Sequence, residues 1–440
     1  MLFSRWFSGN KGKQAIIDTM SNSDNSPLNF PKHFLWGAST AAHQVEGGNH
    51  NQWTVWELEN AKTKAAQAEY HINEFPSWER IRREAKTANN YVSDKLADHY
   101  NRYKEDFDLL KQMDMNAYRF SIEWSRIEPR EGVWDAAAID HYREYVMSLK
   151  RLGIEPVVTL FHFTLPVWFA EMGGFEKRSN VKYFVRFAEK IIGELGTNVR
   201  LIITINEPEV YATESYYQQN WPPALNSKYL WWRVVNNMAY AHKQVAKTLH
   251  AMNRRYRISI AKNSNYFYAG DNAWLSGASA TVMQYFQDDY FIKKFIKNCD
   301  FLGVNYYFSN RVYGYRIHNP DQELSDLHWD LHPADIQYTL ERLHGKYKIP
   351  IIITENGLAD ADDSRRQWWI TQTLIGMQKA IANGVQLQGY LHWSLMDNFE
   401  WAYGKWPRFG LAAVDYKTGE RTLRSSARWF GRILKKIRSA

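Results

Sequence analysis

At 440 residues the chain can bury a large core, and it falls in the range over which α/β barrels run as one domain. A single cysteine, Cys299, excludes an internal disulfide and a multi-cysteine zinc site, and the 14 histidines show no metal-ligand spacing such as HExxH. The formal charge of +8 would suit nucleic acid or an anionic surface, but the basic residues are dispersed apart from small clusters (Arg80, Arg82, Arg83; Lys435, Lys436, Arg438), and no nucleic-acid motif accompanies them.

In chain order, residues 1–27 are expected to be a leader or N-terminal extension, with Met20 as an alternative start and 28–440 as a single domain. The first twenty residues are basic and slightly amphipathic, without the uninterrupted apolar stretch of a secretory signal. Strands are expected at 34–39, 118–124, 156–161, 201–206, 258–262, 301–306, 351–355 and 389–394. Helices are expected at 99–113, 136–152, 182–195, 231–253, 280–296, 333–344, 366–383 and 425–435. Eight strands, each followed by a helix, is the count of a (β/α)8 TIM barrel. A doubly wound open sheet competes, but no GxGxxG follows any strand. The insertion at 59–96, rich in Ala, Glu, Lys and Arg, reads as a partly helical rim loop. No window reaches a membrane span; the most apolar, 154–170, is interrupted by Glu155, His162 and two prolines. Aromatics make up 15% of the residues, which suits either a well-packed interior or a stacking surface for sugars or bases.

Catalytic groups of a barrel sit at the carboxyl ends of its strands. The run Ile351-Ile352-Ile353 leads to Thr354-Glu355-Asn356-Gly357, a lone carboxylate at the mouth of a buried strand, followed by a turn signal. Such an acid is costly unless it is paired. The run Ile202-Ile203-Thr204-Ile205 leads in the same way to Asn206-Glu207-Pro208. Two glutamates on one pocket are the equipment of glycoside hydrolysis. Other strand ends bring Gln44, Arg119, His162, Asn305, Tyr307, Trp393, Glu400 and Trp401. Singly these are ordinary: a lone histidine is usually a satisfied core residue, and an arginine an ordinary barrel ion pair. Set together at successive strand ends, they read as a site.

On these segments, in order from residue 34 to 430, the chain resembles the family 1 glycoside hydrolases, the β-glucosidase and β-galactosidase family. The resemblance implies that Glu355 is the nucleophile and Glu207 the general acid/base. It implies that Gln44, His162, Asn206, Glu400 and Trp401 hold the sugar and that Trp393 is the platform under its ring. Asn305 and Tyr307 match positions beside the nucleophile, and Arg119 the arginine close to it. Physical chemistry agrees: Arg119 and Tyr307 would favour an ionised Glu355, while burial and its partner's charge would keep Glu207 protonated.

The expectation is an exo-acting retaining β-glycosidase, foremost a β-glucosidase with β-galactosidase or β-fucosidase side activity. It would act on small β-glycosides or oligosaccharides in the cytoplasm, with no cofactor, metal, nucleic acid or membrane. Alternatives are a 6-phospho-β-glycosidase and a catalytically inactive sugar-binding relative. Glu207, where the family's thioglucosidases carry glutamine, favours O-glycosides, and intact Glu400 and Trp401 favour an unphosphorylated sugar, although the basic Lys405 follows closely. Phe163 stands where many members have tryptophan, and the trimmed loop at 308–348 suggests an open, loosely specified aglycone side.

Overall fold

The β-branched runs lie where a parallel sheet buried on both faces needs them. In the computed structural model, which describes residues 30–319 and 323–439, they form β1 (Leu35–Ser39), β2 (Ala117–Ser121), β3 (Glu155–Phe161), β4 (Leu201–Asn206), β5 (Arg257–Asn263), β6 (Leu302–Asn305), β7 (Ile351–Glu355) and β8 (Leu387–Trp393). Each pairs in parallel with its neighbours, and β1 pairs with β8 to close the barrel. All eight expected strands are therefore present, β4 and β7 with the expected bounds and the others with shifted ends. β2 stops at Ser121, and the expected residues up to 124 turn into a short helix, Trp124–Ile127. Trp124 leaves the sheet to stack on Phe187, with ring centroids 4.9 Å apart. The expected extension at 1–27 lies outside the described residues.

Ala117, Val157, Leu201, Ile203, Ala261, Ile352 and Leu391 form a cluster of their own in the barrel, separate from the larger core between strands and helices. The surrounding helices include α1 (Gln52–Ile72), α2 (Trp78–Ala85), α3 (His99–Gln112), α4 (Ala136–Arg151), α5 (Val181–Leu195), α6 (Pro208–Tyr216), α7 (Lys228–Met252), α8 (Trp274–Gln284), α9 (Ile336–Tyr347), α10 (Arg366–Ala382) and α11 (Ser425–Ser439).

The insertion after β1 is partly helical, as expected, but its first helix starts before residue 59 and is longer than a rim loop implies. α1 is a helix of 21 residues, opened by a capping box in which Asn51 Oδ1 accepts from the Thr54 amide at 3.0 Å and Thr54 Oγ1 from the Asn51 amide at 2.9 Å. Its buried stripe is Trp53, Glu57, Ala61, Ala65, Ala68 and Ile72, at helical spacing. The charge in that stripe is satisfied: Glu57 receives His43 Nε2 at 2.7 Å and the Ser93 amide at 2.7 Å.

After β7 the chain is pinned by Asn356. Its Nδ2 donates to the Tyr306 carbonyl at 2.7 Å, its Oδ1 accepts from Trp369 Nε1 and Tyr390 Oη, each at 3.1 Å, and its carbonyl accepts from the Trp393 amide at 2.9 Å. β7 and β8 approach so closely here that a Cβ on Gly357 would lie 1.7 Å from the Trp393 carbonyl oxygen. Backbone cannot yield as a flexible side chain can. Gly357→Ala is therefore expected to destabilise the fold by about 1–3 kcal/mol or more, read as a lower urea midpoint, whereas alanine at Gly345 of α9, which faces open space on ordinary helical backbone, should be far milder.

Candidate active site

Glu355 ends β7 in a polar clasp. Arg119 Nη1 donates to its Oε1 at 2.6 Å, and Tyr307 Oη donates to its Oε2 at 2.7 Å. The guanidinium is fully buried, and it also donates to Thr159 Oγ1 at 3.0 Å, the Thr354 carbonyl at 3.1 Å and Asn206 Oδ1 at 2.7 Å. Burial pushes the Glu355 carboxyl up and leaves it raised on balance, although the Arg119 charge, followed by the Tyr307 and Arg119 hydrogen bonds, opposes that shift and favours the ionised form.

Glu207 ends β4 in a different setting. Its Oε1 accepts from Asn305 Nδ2 at 2.8 Å and Asn263 Nδ2 at 3.2 Å, and it has no cationic partner at hydrogen-bond distance among the described residues. Burial, then the charge on Glu355, then that on Glu209, raise it to about 8. Its backbone is left-handed, φ 39°, as it hands the chain to Pro208 at the start of α6. A non-glycine residue held there costs of order 1–3 kcal/mol, and such strain gathers at functional sites. Phe163 (φ 71°) and Trp401 (φ 46°) share the trait.

The two carboxyls open on one cavity of about 510 Å³, which His162, Asn206, Tyr307, Trp393, Glu400 and Trp401 also line. His162 Nε2 pairs with Asn206 Nδ2 at 3.1 Å, and burial followed by the Arg119 charge holds its ring well below the ordinary histidine range. The ring is thus neutral, and its 4.0 Å approach to Glu355 is not an ion pair. Nε2 accepts from the amide, so Nδ1 carries the proton, and this buried atom has no partner among the described residues. Glu400 is raised to about 8 by burial and then by the charges of Glu355 and Glu207. Trp393 and Trp401 lie nearly parallel to His162, with centroids 5.8 and 6.1 Å away.

Three expected residues, Gln44, Arg119 and Asn305, stand behind the cavity wall. Gln44 is buried, with Nε2 at 2.7 Å from the Phe399 carbonyl and 3.4 Å from Glu400 Oε2, and its Oε1 lacks a partner among the described residues. Asn305 bridges Asn206 Oδ1 at 3.2 Å and Glu207, while its own Oδ1 receives Thr354 Oγ1 at 2.6 Å.

The end of β5 was not singled out from sequence, yet it supplies Asn263 to Glu207. Glu209 Oε1 accepts from the Asn263 amide at 3.1 Å and from the buried Lys262 Nζ at 2.8 Å. Position at a strand end was the available signal. Phe163 packs with Trp221 and Trp401 at 4.8 and 5.1 Å, so an aromatic wall is kept at that position. Lys405 lines a separate surface cleft with Asp94, Arg408 and Glu420. Cys299, half-buried, is pushed up to about 12 by burial, which leaves its thiol inert. Among the described residues no group of three or more His, Cys, Asp or Glu side chains is arranged to hold a metal ion.

The sequence pattern of glycosyl hydrolase family 1 matches residues 26–297 and 272–438. Beta-glucosidase A of Thermotoga maritima is 29% identical over 459 aligned residues, spanning 92% of this chain and 98% of that protein. A 6-phospho-beta-galactosidase of Clostridium acetobutylicum is 28% identical over 482, spanning 92% and 97%. Among solved structures, a beta-glycosidase from Pyrococcus horikoshii superposes with a TM-score of 0.82 at 33% identity, covering 93% of this chain and 96% of that one. The match runs through every strand of the barrel, and the chain belongs to glycosyl hydrolase family 1.

Proposed function

We propose that the protein is an exo-acting retaining β-glycosidase that releases a terminal β-D-glucosyl residue from small glycosides or oligosaccharides. The observation that carries this reading is the asymmetry of Glu207 and Glu355: one cavity, one carboxyl clasped by a guanidinium and a phenol, the other raised to about 8. Retaining hydrolysis requires two carboxyls about 5–5.5 Å apart, one ionised and one protonated, and only Glu355 has partners that favour the ionised form. Ionised Glu355 attacks the anomeric carbon while Glu207 gives its proton to the departing glycosidic oxygen. The ester that forms removes the negative charge from Glu355. Glu207, now anionic and relieved of its neighbour's repulsion, takes a proton from water as that water cleaves the ester, which restores both groups.

The unpartnered His162 Nδ1 on the cavity wall is suited to a sugar hydroxyl, and the Trp393 and Trp401 faces to the sugar's C–H surface, while Gln44 acts from behind the wall by holding Glu400. Glu400 on the cavity wall, with Lys405 turned to another cleft, supports an unphosphorylated sugar. The lone Cys299 supports the cytoplasm as its compartment. Among the described residues no helix is long and apolar enough to cross a membrane.

Incubation with a 2-deoxy-2-fluoro-β-glucoside bearing an activated leaving group should add one glycosyl mass, mapped to the peptide containing Glu355. An adduct elsewhere, or no adduct with any glycoside configuration, would remove the assignment. Glu207→Ala should slow substrates with poor leaving groups by about 10²–10⁴-fold, spare dinitrophenyl glucosides, and recover with azide to give the β-glucosyl azide. Because catalysis needs Glu207 protonated, activity should be present below its raised pKa and fall as pH climbs through about 8. In the pH profile of kcat/KM that basic limb should vanish in Glu207→Ala.

A further inference from the structure

The outer cavity wall carries a cation that the sugar-holding residues leave unused. α1 contributes Lys64, Gln67 and His71 to this wall, while Glu214 of α6 and Asn220 contribute as well. Lys64 Nζ makes no hydrogen bond and no ion pair among the described residues; it sits 4.9 Å from the centre of the Trp56 ring. Glu214, the carboxyl whose field reaches it, lies beyond ion-pair distance and is tied through Oε2 to Asn220 Nδ2 at 2.8 Å. An ammonium has three donors, and partial burial strips their hydration without replacing it. Burial lowers Lys64 to about 8 and raises Glu214, so near neutral pH the amine keeps its charge while the neighbouring carboxyl moves toward its neutral form.

A glycoside with its anomeric carbon at Glu355 and its leaving oxygen at Glu207 has the rest of this cavity for its aglycone, and the lining there includes Trp221, Phe308, Trp329 and Lys64. The lining is rich in aromatic rings, and among the described residues Lys64 is the one lysine or arginine on it. We infer that Lys64 is a specificity-determining residue of the aglycone site and selects glycosides whose leaving group carries a carboxylate, an aromatic acid above all. A neutral hydroxyl would accept one hydrogen bond and leave the charge uncompensated; a carboxylate supplies both acceptors and the opposite charge. This inference rests on the hydrolase reading above.

The test uses a matched pair, 4-carboxyphenyl and 4-carboxamidophenyl β-D-glucoside, and reads the ratio of their kcat/KM values in the wild type, Lys64→Met and Lys64→Arg. The carboxamide has the same shape without the charge. The ratio is expected to fall about tenfold in Lys64→Met, as for loss of a partly desolvated charge pair, and to be largely kept in Lys64→Arg. An unchanged ratio in Lys64→Met, with the carboxamide still hydrolysed, overturns the inference and leaves the hydrolase reading standing. If wild-type protein hydrolyses neither glucoside, both fall together.

Discussion

The guanidinium of Arg119 has no surface facing water, and its charge must be met entirely by the protein. Removing such an ion from water costs several kcal/mol unless its donors are spent on well-placed acceptors. Here four hydrogen bonds reach Thr159, the Thr354 carbonyl, Glu355 and Asn206, so strands β2, β3, β4 and β7 are tied through one side chain. The consequences run outward. Asn206 Oδ1 is fixed by Arg119, which leaves its Nδ2 for His162 and so sets that ring's tautomer. Asn305 Nδ2 meets the same oxygen and continues to Glu207. The two carboxyls are thus held in one frame, and the difference between them follows from what the frame gives each.

The barrel was legible because its signal is repeated eight times. Runs such as Ile202-Ile203 and Ile351-Ile352-Ile353 have one reasonable home, a strand buried on both faces, and alternation with helices then dictates the architecture. The glutamates were legible for a related reason: one carboxyl at the end of such a run could merely cap a loop, but two runs ending alike, at Glu207 and Glu355, point to one shared pocket. Boundaries were less so, since Trp124 continues the apolar pattern of β2 but is drawn off by the Phe187 ring, a contact across 63 positions of sequence that no local pattern encodes.

What sequence could not give was the division of labour behind the wall. Gln44, Arg119 and Asn305 carry the same mark, a polar residue at a strand end, as His162 and Glu400, and whether such a residue meets the cavity or backs a neighbour depends on side-chain direction and packing. Asn263 was passed over because Lys262-Asn263 resembles an ordinary solvated strand end, whereas Lys262 is fully buried against Glu209. α1 hid its amphipathic stripe because Glu57 interrupts it with a charge.

That interruption ties two parts of the molecule that specificity would prefer to vary separately. Glu57 receives His43, and the His43 ring lies parallel to Trp401 at 5.7 Å, with Trp53 of the same helix 4.9 Å from Trp401 on another side. The helix that borders the space for the leaving group is therefore also a buttress of the shelf proposed for the sugar. Change in leaving-group preference along α1 is therefore confined: Lys64, Gln67 and His71 can be exchanged, while the buried stripe, of which Ala68 and Ile72 also reach the cavity, must be kept or Trp401 loses its backing. A lineage can change what it cleaves the sugar from one exposed turn at a time, but it cannot exchange the helix as a module.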